Sequence, residues 1–277
     1  MKYFFISDIH GEYSKMMDAL TAAGFNKNTD TLVSLGDPFD RGYDNLKVLQ
    51  FLMSCPHRIL IWGNHDARLA VLLHGTDFLS GNDIENGIGE TLRSFTDLYH
   101  CGLDMCLYLL KDDPGYAQMR DLLWSYFREC HWAVEFPNLI ATHAWLPTVK
   151  REIDGKEVYF LADNWRSVDK NTWYLTSWCD SLRMAYHQCV PEKPLLIGHY
   201  HAWRFANAFG EKRFPSPSIK QMKDDEPINC DSWASPDGRL ITIDGCAYYW
   251  NGGKVNVYVY ESDAEPTLIG KKIYQKD

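Results

Sequence analysis

The chain has no Lys- or Arg-rich block, and its 28 basic against 37 acidic residues leave a formal charge of −9 with the ten histidines neutral. Duplex nucleic acid, whose binding rests on neutralised phosphates, is therefore not an expected partner. None of the eight cysteines (Cys55, Cys101, Cys106, Cys130, Cys179, Cys189, Cys230, Cys246) forms a CxxC pair, and their spacing is irregular. That excludes a zinc ribbon and a disulfide scaffold, and it fits buried thiols in a reducing compartment. No apolar run reaches the roughly eighteen residues of a membrane span, and Tyr3-Phe4-Phe5-Ile6 is too short for the core of a secretory leader. A cytoplasmic chain with no membrane partner is expected. Internal repeats and low-complexity tracts are also missing. What is there, 45% hydrophobic and 23% charged residues over 277 positions, suits a globular protein with a substantial core. With no linker in view, a single domain over 1–277 is expected.

Short apolar runs alternate with helical patterns. Residues 3–6 read as a strand, followed by a helix over about 12–23 that stops at Gly24. Residues 31–35 read as a second strand, ending at Gly36, with a helical pattern over 45–53, and residues 58–62 as a third, ending at Gly63. From about 69 to 132 longer helical segments predict a helical insertion, broken by the Gly-rich stretch 81–89 and by Asp113-Pro114-Gly115. Strand-like runs return at 139–142, 195–197, 240–244 and 255–260. The last two flank Asn251-Gly252-Gly253, a hairpin signal, and few helices are expected in that C-terminal part. Residues 210–236 lack periodicity and read as a long irregular surface loop, with Asp224-Asp225-Glu226 as solvated charge. Strands alternating with helices predict an α/β fold whose ligands collect at the strand ends.

Those strand ends carry Asp8-Ile9-His10-Gly11, Gly36-Asp37-Pro38-Phe39-Asp40-Arg41-Gly42, Gly63-Asn64-His65-Asp66, Thr142-His143-Ala144 and Gly198-His199-Tyr200-His201. Any one of them alone is a commonplace turn; five in a row, each after an apolar run, are not. Their mixture of carboxylates, imidazoles and an amide suits Mn²⁺, Fe or Zn²⁺ better than the all-oxygen shells of Ca²⁺ and Mg²⁺. The donors outnumber one ion's needs, so two divalent ions are expected. Asp8, His10 and Asp37 are assigned to the first, with His201 able to close its shell. Asp37 bridges to the second, which Asn64, His143 and His199 complete. Such a pair holds a bridging hydroxide and neutralises phosphoryl oxygens during in-line attack, the chemistry of phosphoester hydrolysis.

These motifs resemble those of the calcineurin-like metallophosphoesterases, in the branch of serine/threonine protein phosphatases and dinucleoside tetraphosphate hydrolases. Gly36 to Gly42 looks like that branch's GDxxDRG, and Gly63 to Asp66 is similar to its GNH[DE]. The resemblance covers residues 1–66 and about 139–260. It implies a two-sheet α/β/β/α sandwich. It implies that His65 contacts phosphate and protonates the leaving oxygen, oriented by Asp40, with Asn64 on the substrate side as well as on the metal. Arg41 is placed to fork onto phosphate oxygens, which lysine cannot copy. The family often adds a second arginine before its GH motif; Arg166 and Arg183 both fall there, and Arg183 is taken as the substrate contact. The second histidine of Gly198-His199-Tyr200-His201 is commoner among broader phosphodiesterases.

The leading expectation is a phosphomonoesterase acting on phosphoserine or phosphothreonine proteins. Its rivals are a dinucleoside polyphosphate hydrolase, a nucleotide phosphodiesterase and, outside the enzymes, an inert metal-holding module for a phosphorylated partner. Tryptophans such as Trp165, Trp173, Trp178 and Trp203 are expected in the core before any base-stacking pocket. Substrate choice is expected to reside in the insertion.

Overall fold

Period-two alternation in the first strand decides the layering. In the computed structural model, which describes residues 1–209 and 229–270, β1 (Lys2–Ile6) turns Tyr3 and Phe5 to one side and Phe4 and Ile6 to the other. The chain then runs through α1 (Tyr13–Ala22), β2 (Thr31–Ser34), α2 (Asn45–Ser54) and β3 (Arg58–Ile61), strand and helix alternating. The helical stretch begins earlier than the pattern suggests, with α3 (Asn64–His74) opening inside the third motif. It continues through α4 (Gly81–Glu85), α5 (Ile88–Thr96), α6 (Leu103–Asp112), a 3-10 turn at Pro114–Tyr116 and α7 (Ala117–Glu129). Within the Gly-rich stretch the helical pattern does break, but only at Asn86-Gly87 between α4 and α5, while the residues on either side are helical. Ser80 and Asp83 cap α4 reciprocally, Ser80 Oγ accepting from Asp83 N and Asp83 Oδ2 from Ser80 N, and this capping outweighs the glycine at the first turn.

β4 (Cys130–His131), β5 (Ala133–Phe136) and β6 (Leu139–Thr142) follow, then a hairpin of β7 (Thr148–Ile153) and β8 (Lys156–Leu161). After it come α8 (Lys170–Thr176), α9 (Ser181–Tyr186), β9 (Leu195–Ile197) and α10 (Ala202–Phe209). The last strands are β10 (Trp233–Ala234), β11 (Leu240–Thr242), β12 (Tyr258–Glu261) and β13 (Thr267–Ile269). One sheet has the order β12-β1-β2-β3-β4 and the other β10-β11-β9-β6-β5-β13. Their inner faces meet: Tyr3, Phe5, Val33, Leu35 and Ile61 of the first bury against Val134, Phe136, Leu139, Ala141, Leu196 and Ile243 of the second. On the outer faces, Phe4, Ile6, Leu32 and Leu60 pack on α1 and α2 through Met16, Leu20, Val48 and Leu52. Each such side chain contributes about 1.5–3 kcal/mol by leaving water. This is the α/β/β/α sandwich that the resemblance implies.

Two expectations need correction. The runs around β11 and β12 do not form a hairpin, because β11 pairs with β9 and β10 in one sheet and β12 pairs with β1 in the other. The Asn-Gly-Gly turn between them serves a crossover between layers. Of the expected loop over 210–236, residues 210–228, with Asp224-Asp225-Glu226, lie outside the described residues, and the remainder includes the short strand β10. Among the described residues no helix is long and apolar enough to cross a membrane.

Candidate functional site

The loops leaving β1, β2 and β3, together with those after β6 and β9, end side by side and are knitted by backbone hydrogen bonds. Asp8 N donates to Gly36 O at 3.1 Å, His10 N to Asp37 O at 3.1 Å, and Gly198 N to His143 O at 2.8 Å. Six motif residues outside glycine sit in the left-handed region: Asp8 (φ 51°), His10 (48°), Asp37 (52°), Asp40 (72°), Arg41 (68°) and His199 (61°). Each costs an L-residue about 1–2 kcal/mol, so strain is concentrated where the chain turns these side chains inward. Glycine is needed at two places for another reason: a Cβ on Gly63 would strike the Asp37 carboxylate, and one on Gly198 would strike Ser7 Oγ and the Asp8 carboxylate.

The side chains converge on a cleft of about 210 Å³ lined by Asp8, His10, Asp37, Asn64, His65, His199 and His201, with Arg41 and Arg204. Asp37 is its hub. Its Oδ2 lies 3.3 Å from His143 Nε2, 3.8 Å from His65 Nε2 and 3.9 Å from His10 Nε2. Two groups of donors, His10, Asp37, His65 and Asp37, His143, His199, each bring their ligand atoms within 4.8 Å of one another and share Asp37. His10 Nδ1 donates to Phe39 O at 2.7 Å and His143 Nδ1 to Leu35 O at 2.7 Å, which leaves both Nε2 atoms facing the cleft. Asn64 Oδ1 stands 2.9 Å from His143 Nε2. Asp8 Oδ2 accepts from Ser7 Oγ and from His199 N, leaving Oδ1 as its remaining ligand atom.

Electrostatics agree with a cation site. Burial pulls the His143 imidazole down, but Asp37, with Asp8 and Asp66, more than offsets this and raises it to about 10. Burial pushes the Asp37 carboxyl up, yet His143 and His65 outweigh it and hold Asp37 well below the usual range. Burial, then repulsion by His143, lowers His199 to about 3; burial, then Arg41 and His65, lowers His10. Carboxylates that raise His143 in this way favour positive charge at this point, and the lowered imidazoles of His10 and His199 offer lone pairs. The residues fit two divalent ions.

Beside this centre, His65 Nδ1 meets Asp40 Oδ2 at 2.7 Å, the pairing expected from the sequence. Thr91, on α5, accepts from Asp40 N at 2.8 Å and donates to Asp40 Oδ1, so the carboxylate is held on both oxygens. Arg41 donates from Nη1 to His10 Nε2 at 3.0 Å and from Nη2 to His65 Nε2 at 3.3 Å, with its guanidinium 4.3 Å from the Tyr248 ring. His201 Nδ1 stands 2.8 Å from Asp244 Oδ2, and this pairing outweighs burial to hold the Asp244 carboxyl at about 2. Asp66 Oδ1 accepts from Gly63 N at 2.9 Å and Asp37 N at 3.2 Å, and its Oδ2 accepts from Tyr126 Oη of α7 at 3.0 Å. The insertion is thus tied to the site by Thr91 and Tyr126.

The structure brings Asp8, His10, Asp37, Asp40, Arg41, Asn64, His65, His143, His199 and His201 together. It does not bring Arg183. That guanidinium is bound to Glu157 at 2.7 Å and lies 4.9 Å from the Tyr159 ring, on the β7–β8 hairpin. Arg166 is likewise held by Glu135 at 2.7 Å. The substrate-contact assignment of Arg183 is therefore corrected: an acidic partner outside the cleft already satisfies it. Arg204, three residues after His201, takes the place in the cleft that sequence reasoning sought upstream. Thr91, Asn86 and Tyr248 were also missed, because they lie in segments without a motif. The tryptophans divide. Trp165 and Trp173 are core, the latter stacked on Trp132 at 6.1 Å, whereas Trp178 is 37% exposed and lies over His65 at 6.3 Å. A larger pocket of about 390 Å³ by Phe209 and Trp233 holds none of the motif residues.

The calcineurin-like phosphoesterase family profile matches residues 1–172. Among curated proteins the chain is similar to the symmetrical bis(5'-nucleosyl)-tetraphosphatase of Buchnera aphidicola subsp. Schizaphis graminum, 38% identical over 114 residues, 41% of either chain. It is similar to serine/threonine-protein phosphatase 2 of Salmonella typhimurium, 44% identical over 62 residues, 22% of this chain and 28% of that one. Each match spans under half of the relative's length. A crystal structure provisionally assigned as a diadenosine tetraphosphatase shares the fold, with TM-score 0.50 and 16% identity over 96% of this chain and 93% of that one.

Proposed function

The chain belongs to the calcineurin-like phosphoesterase family, and from that premise we propose that it is a metal-dependent phosphoester hydrolase whose substrate is a dinucleoside polyphosphate. The observation that carries the hydrolase reading is the convergence of five strand-end motifs on one cleft, with the His65–Asp40 pair at 2.7 Å beside the Asp37-centred donors. The two ions would be held by Asp37, common to both, with Asp8, His10 and His201 as donors to the first and Asn64, His143 and His199 as donors to the second. What two such ions supply when bound is neutralisation of phosphoryl charge and a nucleophile at neutral pH. The protein's own groups do the rest. Arg41 leaves the two imidazole edges to fork onto phosphate oxygens, with the Tyr248 face keeping it oriented. Asp40 holds the His65 tautomer that has its proton on Nδ1 in the neutral ring. When the ring is doubly protonated, Nε2 gives a proton to the leaving oxygen.

The dinucleoside polyphosphate is favoured over a phosphoprotein by the relatives of that description, which match over a larger share of the chain. Trp178, half-open at the cleft beside His65, offers a face on which a base can stack. The second reading, a serine/threonine protein phosphatase, rests on the similarity to the Salmonella enzyme. Metal-stripped protein reloaded with Mn²⁺ separates the two when diadenosine tetraphosphate, a phosphopeptide, p-nitrophenyl phosphate and its bis ester are compared. Turnover of the tetraphosphate at least tenfold above that of the phosphopeptide is expected. Preference for the phosphopeptide moves the assignment to the second reading, and no metal-restored turnover of any of them refutes the hydrolase.

A further inference from the structure

Five arginines of the described residues, Arg58, Arg68, Arg93, Arg166 and Arg183, each hold a carboxylate. The two that line the cleft, Arg41 and Arg204, hold none among the described residues. Arg41 is accounted for by His10 and His65. Arg204 is not. It sits in the first turn of α10, and that turn is pinned between the fifth motif and the loop after β11: Arg204 N donates to His201 O at 2.9 Å and Ala202 N to Asp244 O at 2.9 Å. Its guanidinium carbon lies 5.0 Å from the Tyr200 ring and 5.2 Å from the Trp203 ring. Among the described residues its one side-chain hydrogen bond is a long contact of 3.4 Å from Nη1 to Tyr200 Oη, and its Nε is buried with no acceptor.

A guanidinium braced by two aromatic faces has lost much of its freedom before any ligand arrives, and its planar fork matches two oxygens of a phosphate. Packing on aromatic rings alone does not account for an Nε–H shut away from water without an acceptor, since such a donor is costly unless something accepts from it. Arg41 reaches the His10 and His65 edges, whereas Arg204 rests on Tyr200, between His199 and His201. A single phosphoryl group attacked at the Asp37 centre is served by Arg41. We propose that Arg204 forms a second phosphate subsite, which takes the phosphate adjoining the one under attack and so selects substrates with a phosphoanhydride over simple monoesters. This rests on the hydrolase reading and narrows its substrate class.

The test uses the full chain loaded with Mn²⁺ at fixed free metal, with p-nitrophenyl phosphate as reporter and two competitive inhibitors, methylenediphosphonate and inorganic phosphate. In Arg204→Met, the inhibition constant of the diphosphonate is expected to rise about 10- to 100-fold and that of phosphate by no more than about threefold, as for loss of one charge-assisted pair. Arg204→Lys, which keeps the charge without the fork, should fall between. Equal weakening of both inhibitors, or of neither, overturns the subsite. Circular dichroism and metal content of each variant show that fold and ions are retained. If the wild type turns over neither this reporter nor diadenosine tetraphosphate, the phosphopeptide or the bis ester, the hydrolase reading fails. Calorimetric titration of methylenediphosphonate into metal-loaded wild type and variants then decides the subsite separately: tighter binding to wild type by tenfold or more supports it, and equal binding refutes it.

Discussion

Replacing Thr91 by valine removes one hydroxyl and leaves a side chain of nearly the same shape, so it probes the Asp40 pairing and little else. Thr91 is fully buried, and its Oγ1 both accepts from Asp40 N at 2.8 Å and donates to Asp40 Oδ1. Valine orphans a buried N–H and one oxygen of a buried carboxylate. At about 1–3 kcal/mol for each orphaned group, the sum is about 2–6 kcal/mol of stability. In a chain of this length that lowers Tm by roughly 5–15 °C. The second consequence is kinetic. Asp40 Oδ2 orients His65 at 2.7 Å, and a carboxylate tethered on one side orients it less well. Leaving groups that need a proton should suffer most. Relative to wild type, kcat on phenyl phosphate is expected to fall about tenfold further than kcat on p-nitrophenyl phosphate, a fraction of the effect of a whole general acid. Thr91→Ser should restore both. Thermal unfolding of the metal-free proteins and kcat on the two esters are the measurements. A valine variant within about 0.5 kcal/mol of wild type, the usual span of a neutral surface change, with an unchanged ratio between the esters would refute the argument.

Three further outcomes are expected. His65→Asn should retain both ions and lose about 10²- to 10⁴-fold in kcat, as for a lost general acid. Because His65 Nε2 stands 3.8 Å from Asp37 Oδ2, metal analysis is the check, and departure of one ion would make His65 a ligand. Asp37→Asn should empty both metal positions, since it removes the carboxylate common to the two donor groups; two ions at full occupancy would rule out the bridge. Glu135 is drawn from its ordinary 4.5 to about 2, first by its hydrogen bond to Arg166, and Lys193 adds to this. A carboxyl lowered in the folded state stabilises it above 4.5, and this contribution vanishes as pH falls through about 2. With the Arg166 side chain 50% exposed, the contribution is below about 1 kcal/mol. Acid unfolding of Glu135→Gln against wild type should show a shallower loss of stability across that window, and identical acid limbs would count against it.

The outer layers of the fold were legible because β1, β2 and β3 each end in glycine or a motif and each precede a helix with an apolar stripe. The insertion was legible as helix but not in its boundaries, since the Ser80–Asp83 capping box overrode the glycine at 81. The hairpin signal at 251–253 misled because two neighbouring strands can join different layers, and only pairing with β1 and β9 decides between them. Arg183 misled for a related reason: whether an arginine reaches a cleft or a nearer carboxylate such as Glu157 depends on where the β7–β8 hairpin folds back.

By itself the sequence determined which side chains lie at the strand ends, because a metal ligand set needs carboxylate, imidazole and amide at turns, and the turn glycines mark those places. It determined the pairing of His65 with Asp40 as far as family resemblance reaches. Tertiary structure alone decided what surrounds them. Thr91 meets Asp40 from 51 positions away, Asp66 meets Tyr126 from 60 away, and Asp244 meets His201 from 43 away. Arg204 enters the cleft because α10 starts where two loops meet. Hydrogen bonds and guanidinium contacts are short-ranged, so a partner distant in sequence becomes a partner only when the layers are packed.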